Sequence, residues 1–295
     1  IKDSNDNWAC FTCSCIMFTL SLDKQIFKKM NKENYLAYTH YPHPSNESVI
    51  IIHGLLGCKD NWKTIAKALS EQLNVYCIDC RNHGQSFHND SMTYNEMSLD
   101  LIQLMDYLKL KNPFIIGHSM GGKIAMHSLQ QNPNRFQKAM IIDIAPKAYE
   151  EHHQTILTAM QTVNLSKLLT RTVIDTSLST LIPDPRIRQL LLKNIKRNQD
   201  NHFYWQCNTE AIANNYHHIM NNSISKKPIH IPTLFLRGEN SFYINEPTDT
   251  NQIKTLFNNV TIKTIKGAGH WLQSEQPALF IKETLQFLLN IKNQS

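Results

Sequence analysis

Phe114-Ile115-Ile116-Gly117-His118-Ser119-Met120-Gly121-Gly122-Lys123 is the stretch that decides the fold. An apolar strand ends on a small-x-Ser-x-small turn, and the chain restarts as a helix. A serine forced into a strained strand-to-helix turn projects its Oγ above the sheet. Glycines at 117 and 121 fit that geometry, because a Cβ at either would strike the neighbouring helix and strand. The plainer reading of the pentapeptide is a helix start with a serine near its cap. The strand before it and the helix after it favour a nucleophile elbow, because the chemistry demands that context.

On either side of this stretch, short apolar runs alternate with helical patterns. Ser48-Val49-Ile50-Ile51-Ile52 lacks polar alternation and reads as a strand buried on both faces. Trp62, Ile65, Ala66 and Leu69 follow at helical spacing, with Asp60 as candidate N-cap. Val75 to Ile78 is the next strand. Thr93-x-x-Glu96 is a capping box opening a helix with Met97, Leu101, Leu104 and Leu108 on one face. Met140 to Ile144 is a further strand. Strand and helix in alternation predict right-handed βαβ crossovers, hence an α/β chain with a mostly parallel central sheet flanked by helices.

The rhythm breaks after Pro146. From 147 to 227 the pattern is helical throughout, which predicts an all-helical cap inserted before the penultimate strand. Thr233 to Leu236 resumes the sheet, Val260 to Ile265 alternates as an edge strand, and Pro277 opens a closing helix. The expected organisation is an α/β core at 33–146 and 228–293, a cap at 147–227, and a leader or extension at 1–32.

Composition narrows the function classes. The 295 residues suffice for one large core. Thirty basic and 24 acidic side chains give +6, but they are scattered, so neither nucleic-acid nor bulk membrane binding is indicated. No run of about twenty uncharged apolar residues is present to span a bilayer. Seven cysteines, an odd number crowded towards one end, do not resemble a secreted disulfide framework. The expected location is therefore intracellular, cytoplasmic or, in a eukaryote, the mitochondrial matrix. Cys10, Cys13 and Cys15 lack a nearby fourth metal ligand, and the first segment shows neither a clean signal peptide nor an Arg-rich transit peptide.

A nucleophilic Ser119 needs a base and a place for the oxyanion. His270 ends Lys266-Gly267-Ala268-Gly269-His270-Trp271, where two glycines let the loop turn an imidazole back over the carboxyl edge of the sheet. The adjacent pairs His152–His153 and His217–His218 are expected to play surface or core roles. Met120 N–H, at the head of the helix after the elbow, is one candidate oxyanion donor, and Leu55 N–H in His53-Gly54-Leu55-Leu56-Gly57 is the other. A tight strand exit is the alternative for that glycine-flanked loop. The orienting acid is less plain, because the loop Arg237-Gly238-Glu239-Asn240-Ser241 offers Ser241 where Asp is usual. Asp143, at the end of the strand after the elbow helix, can reach the same imidazole. Its alternative role is a hydrogen-bonded cap of the following turn, and Glu239 and Glu210 are weaker candidates. Arg81 in Asp79-Cys80-Arg81-Asn82-His83-Gly84-Gln85-Ser86 is expected to fix a loop by charge-assisted bonds.

Together, His53-Gly54-Leu55-Leu56-Gly57, Asp79-x-Arg81-Asn82-His83-Gly84-x-Ser86, Gly117 to Lys123, Asp143-Ile144-Ala145-Pro146 and Gly267-x-Gly269-His270-Trp271 resemble the α/β-hydrolase superfamily. Within it they are similar to the small YbfF-type bacterial esterases and their mitochondrial relative, abhydrolase domain-containing protein 11. The resemblance runs from about residue 35 to 289 and includes Trp205-x-x-Asn208 and Asn215-Tyr216 in the cap. It implies a carboxylate at the Asp143 position in place of one at Ser241. It leaves 1–33 without a counterpart.

The expected activity is hydrolysis of short- to medium-chain carboxylic esters through an acyl-enzyme, with His53, Phe242 and Trp271 in the substrate pocket and no metal or organic cofactor. The expected partner is a small-molecule acyl ester or thioester. An acyl-CoA thioesterase or a carbon–carbon bond hydrolase would use the same triad, and a non-catalytic binding protein on this scaffold is a further alternative. An epoxide or haloalkane hydrolase is disfavoured, since Asp would stand at 119.

Overall fold

The computed structural model describes residues 35–222 and 224–290. The whole of the expected leader, 1–32, with Cys10, Cys13 and Cys15, lies outside the described residues. In the first half of the core, β1 (Tyr38–Tyr41), β2 (Ser48–Ile52), α1 (Lys63–Leu69), β3 (Asn74–Ile78), α2 (Tyr94–Tyr107), β4 (Phe114–His118), α3 (Met120–Gln131) and β5 (Ala139–Ile142) follow in turn. The inserted segment holds α4 (Gln154–Thr162), α5 (Arg171–Ser179), α6 (Pro185–Lys193), β6 (Ile195–Arg197), β7 (Phe203–Trp205), α7 (Thr209–Asn214) and α8 (Tyr216–Met220). The core resumes with β8 (Thr233–Gly238), α9 (Thr248–Leu256), β9 (Val260–Ile265), α10 (Leu272–Glu275) and α11 (Pro277–Leu289).

Seven strands form one sheet in the order β1-β3-β2-β4-β5-β8-β9. Only β1 runs antiparallel to its neighbour; every other pairing is parallel. Parallel strands need crossovers on both faces, and that explains the runs of buried β-branched residues. Alternate residues serve opposite cores: Ile50, Ile52 and Ile115 join a cluster with the α2 and α3 side, whereas Val49, Ile51 and Ile116 pack with α1 and α11.

Local signals explain the element boundaries. Thr93 Oγ1 accepts from Glu96 N–H at 3.3 Å and Glu96 Oε2 accepts from Thr93 N–H at 2.9 Å, which completes the expected capping box of α2. Arg81 grips Asp100 with two bonds, Nε at 2.6 Å and Nη2 at 2.8 Å, and so ties the loop after β3 to α2. Asp60 is not the cap of α1. A 3-10 turn over Lys59–Trp62 intervenes, opened by Cys58, whose N–H donates to Asn61 Oδ1 at 2.6 Å.

The inserted segment is not wholly helical. Ile195–Arg197 and Phe203–Trp205 pair antiparallel as a small hairpin. Helical spacing misreads it, because Leu190, Leu191 and Ile195 continue an apparent 3.6-residue period across the end of α6. Asn198 and Asn201 make the turn: Asn201 sits at a φ of 65°, and His202 N–H donates to Asn198 Oδ1. Leu169, in the same segment, is 80 % exposed. Among the described residues no helix is long and apolar enough to cross a membrane.

Candidate active site

The elbow has the geometry its sequence implies. Ser119 stands between β4 and α3 at a φ of 52° and ψ of −119°, a conformation that costs a residue with a Cβ about 1–3 kcal/mol. A Cβ on Gly117 would lie 2.2 Å from the Gly121 carbonyl oxygen, and one on Gly121 would lie 2.5 Å from that of Ile52. Two further non-glycine residues with positive φ sit at neighbouring strand ends, Leu56 at 59° and Asp143 at 49°.

His270 and Asp143 meet above the sheet. His270 Nδ1 lies 2.8 Å from Asp143 Oδ2, and a carboxylate only accepts, so the ring proton belongs on Nδ1 and Nε2 carries the lone pair. Asp143 is fully buried; its Oδ1 accepts from Gly238 N–H at 3.0 Å and its Oδ2 from the Ser241 hydroxyl. Burial raises the Asp143 pKa, an effect opposed by those two bonds. Burial lowers that of His270, and His152 nearby adds to the lowering, so the resting imidazole is neutral. Ser119 Oγ forms no hydrogen bond among the described residues. It lines the same cavity as His270, and such contacts often tighten only with substrate bound.

Neighbouring rings fix the imidazole. Tyr243 stacks on it with centroids 3.8 Å apart and planes inclined by 15°. The Tyr243 hydroxyl is 2.8 Å from His152 Nε2, and His118 Nε2 donates to the His270 carbonyl at 2.8 Å. Tyr243, His118 and His152 escape a sequence reading because their roles depend on loops that meet only in space. His152 is exposed and His153 half-buried against the Tyr216 hydroxyl, and both also line the cavity, carried there by the chain just before α4.

The two oxyanion candidates stand at the end of the elbow and in the loop after β2. Met120 is the first residue of α3, where a helix leaves its N–H groups unpaired. Leu55 N–H donates to no atom among the described residues, and Leu55 borders the cavity. The expected pocket residues divide. Trp271 and Phe242 border the cavity, with Phe242 61 % exposed at its rim. His53 also borders it, but both its nitrogens face backbone: Nδ1 is 2.8 Å from Gly54 O, and Nε2 accepts from Cys80 N–H at 3.0 Å. Burial holds its pKa down at about 4, which keeps that accepting nitrogen unprotonated. His53 is thus a brace of the loop more than a contact for substrate.

The weaker acid candidates fall away. Glu210 is exposed in the first turn of α7, off the cavity. Glu239 is exposed and accepts from Gly267 N–H at 2.9 Å, bracing the loop that leads to His270. The cavity measures about 610 Å³, and Leu55, Ile156, Ile187, Leu190 and Leu191 give it an apolar wall supplied largely by the insertion.

Known proteins bear on this site. Residues 47–185 match the family model described as the alpha/beta hydrolase fold. The chain is 34% identical over 249 residues to a mouse protein named sn-1-specific diacylglycerol lipase ABHD11, covering 82% of this chain and 80% of that one.

The chain belongs to the α/β-hydrolase family.

This α/β hydrolase is also 30% identical over 258 residues to the esterase YbfF of Escherichia coli, covering 87% of this chain and 99% of that one. A solved marine microorganism esterase is 40% identical and superposes with a TM-score of 0.83, covering 87% of this α/β hydrolase and all of that chain.

Proposed function

We propose that the protein is a serine carboxylesterase with Ser119 as nucleophile, His270 as general base and acid, and Asp143 as the carboxylate that orients it. The observation that carries this reading is the 2.8 Å contact from His270 Nδ1 to Asp143 Oδ2, beside a serine held on an elbow in the same cavity. The esterase and lipase relatives support it independently.

His270 Nε2 takes the Ser119 proton as Oγ attacks the acyl carbon. The tetrahedral oxyanion is received by the N–H groups of Leu55 and Met120, the second backed by the positive end of α3. Collapse expels the alcohol, which leaves with the proton from His270. Water then repeats the sequence on the acyl-enzyme and restores Ser119. Asp143 keeps the neutral imidazole in the Nδ1–H tautomer and faces the imidazolium once Nε2 has taken the proton.

The apolar wall of a cavity of about 610 Å³ favours short- and medium-chain acyl groups, on esters or thioesters. Because one relative carries a diacylglycerol lipase name, acylglycerols belong in the panel beside p-nitrophenyl esters. The decisive experiment is fluorophosphonate labelling of the folded protein with peptide mapping, alongside an ester series from acetate to palmitate. Labelling confined to Ser119, with turnover lost in Ser119→Ala, is the expected result; absence of both labelling and turnover overturns the reading.

A further inference from the structure

The loop that carries Leu55 is held one peptide at a time. The Gly54 carbonyl, which shares a peptide plane with Leu55 N–H, is 2.9 Å from Gly57 N–H and 2.8 Å from His53 Nδ1. The next peptide is held through Leu56 N–H, which donates to His83 Nε2 at 3.1 Å. The one after that is held through the Leu56 carbonyl, which accepts from Asn194 Nδ2 at 2.6 Å. His53 and His83 belong to the core. Asn194 belongs to the insertion, at the end of α6, so one of the three anchors reaches the loop from the cap.

Asn194 is poorly explained as a residue of the cap's own packing. It is 1 % exposed, its Oδ1 finds no partner among the described residues, and its other contact, Nδ2 to Leu190 O, is a long 3.5 Å. An unpaired buried amide oxygen is a cost that an aliphatic side chain of similar size avoids. What the amide gains is the bond to Leu56, and Leu56 needs it. A leucine at a φ of 59° stays there only where its surroundings over-determine the backbone.

Resting on the ester-hydrolase reading above, we infer that Asn194 is a positioning residue, through which the cap holds the Leu55 N–H at the oxyanion position by fixing the Leu56 carbonyl. The oxyanion hole is then complete only with the cap seated. Substrate binding depends on the cavity wall and is little affected by the Asn194 amide, whereas the transition state depends on the donor it holds.

The test compares Asn194→Asp, which keeps the shape and removes the donor, with Asn194→Ala, which removes it without adding a charge. Fluorophosphonate titration of Ser119 to completion counts active sites, so rates are expressed per site. The expected result is a fall in kcat of about 10- to 100-fold with KM within about twofold. Affinity for an aliphatic trifluoromethyl ketone should fall by a similar factor, because Ser119 adds to its carbonyl, gives its proton to His270 and leaves an oxyanion in the same hole. A kcat within twofold of the parent in both variants overturns the inference, as does an undiminished affinity for the ketone. Failure of both variants to fold assigns Asn194 to stability and overturns it as well. A parent protein that neither turns over esters nor labels at Ser119 overturns the underlying ester-hydrolase reading, and this inference with it.

Discussion

Ser241 and His270 meet on one atom, Oδ2 of Asp143: the hydroxyl comes from the loop after β8, the imidazole from the loop after β9. The serine that stands where a carboxylate is usual is bonded to the carboxylate proposed to serve in its place. Removing the charge should therefore cost far more than removing the hydroxyl. Asp143→Asn is expected to lower kcat on p-nitrophenyl butyrate by about 10³- to 10⁴-fold through the wrong imidazole tautomer. Ser241→Ala should cost less than about tenfold, since Gly238 N–H still anchors the carboxylate. The reverse order of losses would move the acid role away from Asp143.

The face-on contact of Tyr243 with His270 has its own consequence. Tyr243→Phe keeps the stacked ring and loses only the bond to His152, so kcat should stay within about threefold. Tyr243→Leu frees the imidazole to tilt, and a drop of about tenfold or more is expected. Steady-state kinetics of the two variants decide the matter: equal losses would mean that the hydroxyl, not the ring, matters.

The pH profile carries a sign. In the proposed mechanism only neutral His270 accepts the Ser119 proton, so kcat/KM should rise with pH as the imidazole deprotonates. Burial lowers the pKa of His270 from its ordinary 6.5, and the acid limb should therefore have its midpoint below 6.5. His152 contributes to the lowering, so His152→Gln should move the midpoint upward. A midpoint above 6.5 in the parent protein would contradict the effect of burial.

Lys123, one turn along α3 from Ser119, offers a stability test. It is 1 % exposed on α3, with Nζ 2.9 Å from the Asn221 carbonyl and 5.0 Å from the Tyr149 ring centroid, and desolvation lowers its pKa from 10.5 to about 7. Between those values the unfolded chain holds a proton that the folded chain has released. Stability due to this group therefore rises with pH, by at most about 1.4 kcal/mol per unit. Urea unfolding from pH 7 to 9 should show the parent gaining on Lys123→Met as pH rises. Parallel curves would mean that Lys123 keeps its proton in the folded state.

Chain-length preference should follow the wall contributed by α6. Ile187 and Leu190 border the cavity, so Ile187→Trp or Leu190→Trp should shift the best p-nitrophenyl ester towards shorter acyl chains, through kcat/KM on the long ones. An unchanged profile would place the acyl chain elsewhere.

Much of this was legible because local chemistry dictated it. The strand-to-helix turn at Ser119 needed its glycines, the capping box marked α2, and the glycine loop carried His270. The contact of Asp143 with His270 could be anticipated because its strand ends beside the elbow. What escaped depended on distant segments meeting. The hairpin of β6 and β7 was hidden by leucines in helical register. The pairing of Asn194 with Leu56 spans 138 positions, and the stack of Tyr243 on His270 joins two loops. His53 pointed to the right loop but not to its role, since the sequence could not tell whether its ring faces substrate or backbone.

At position 119 the most stable residue and the proposed nucleophile are different. Glycine would adopt the φ of 52° and ψ of −119° found there without the penalty a serine bears. Evolution on persistence alone would erode the hydroxyl first, and only the benefit of turnover holds it in place. A descendant that kept the scaffold for binding would therefore be expected to carry glycine at 119, while His270 and Asp143, whose bond also tethers two loops, would linger as a record of the lost activity.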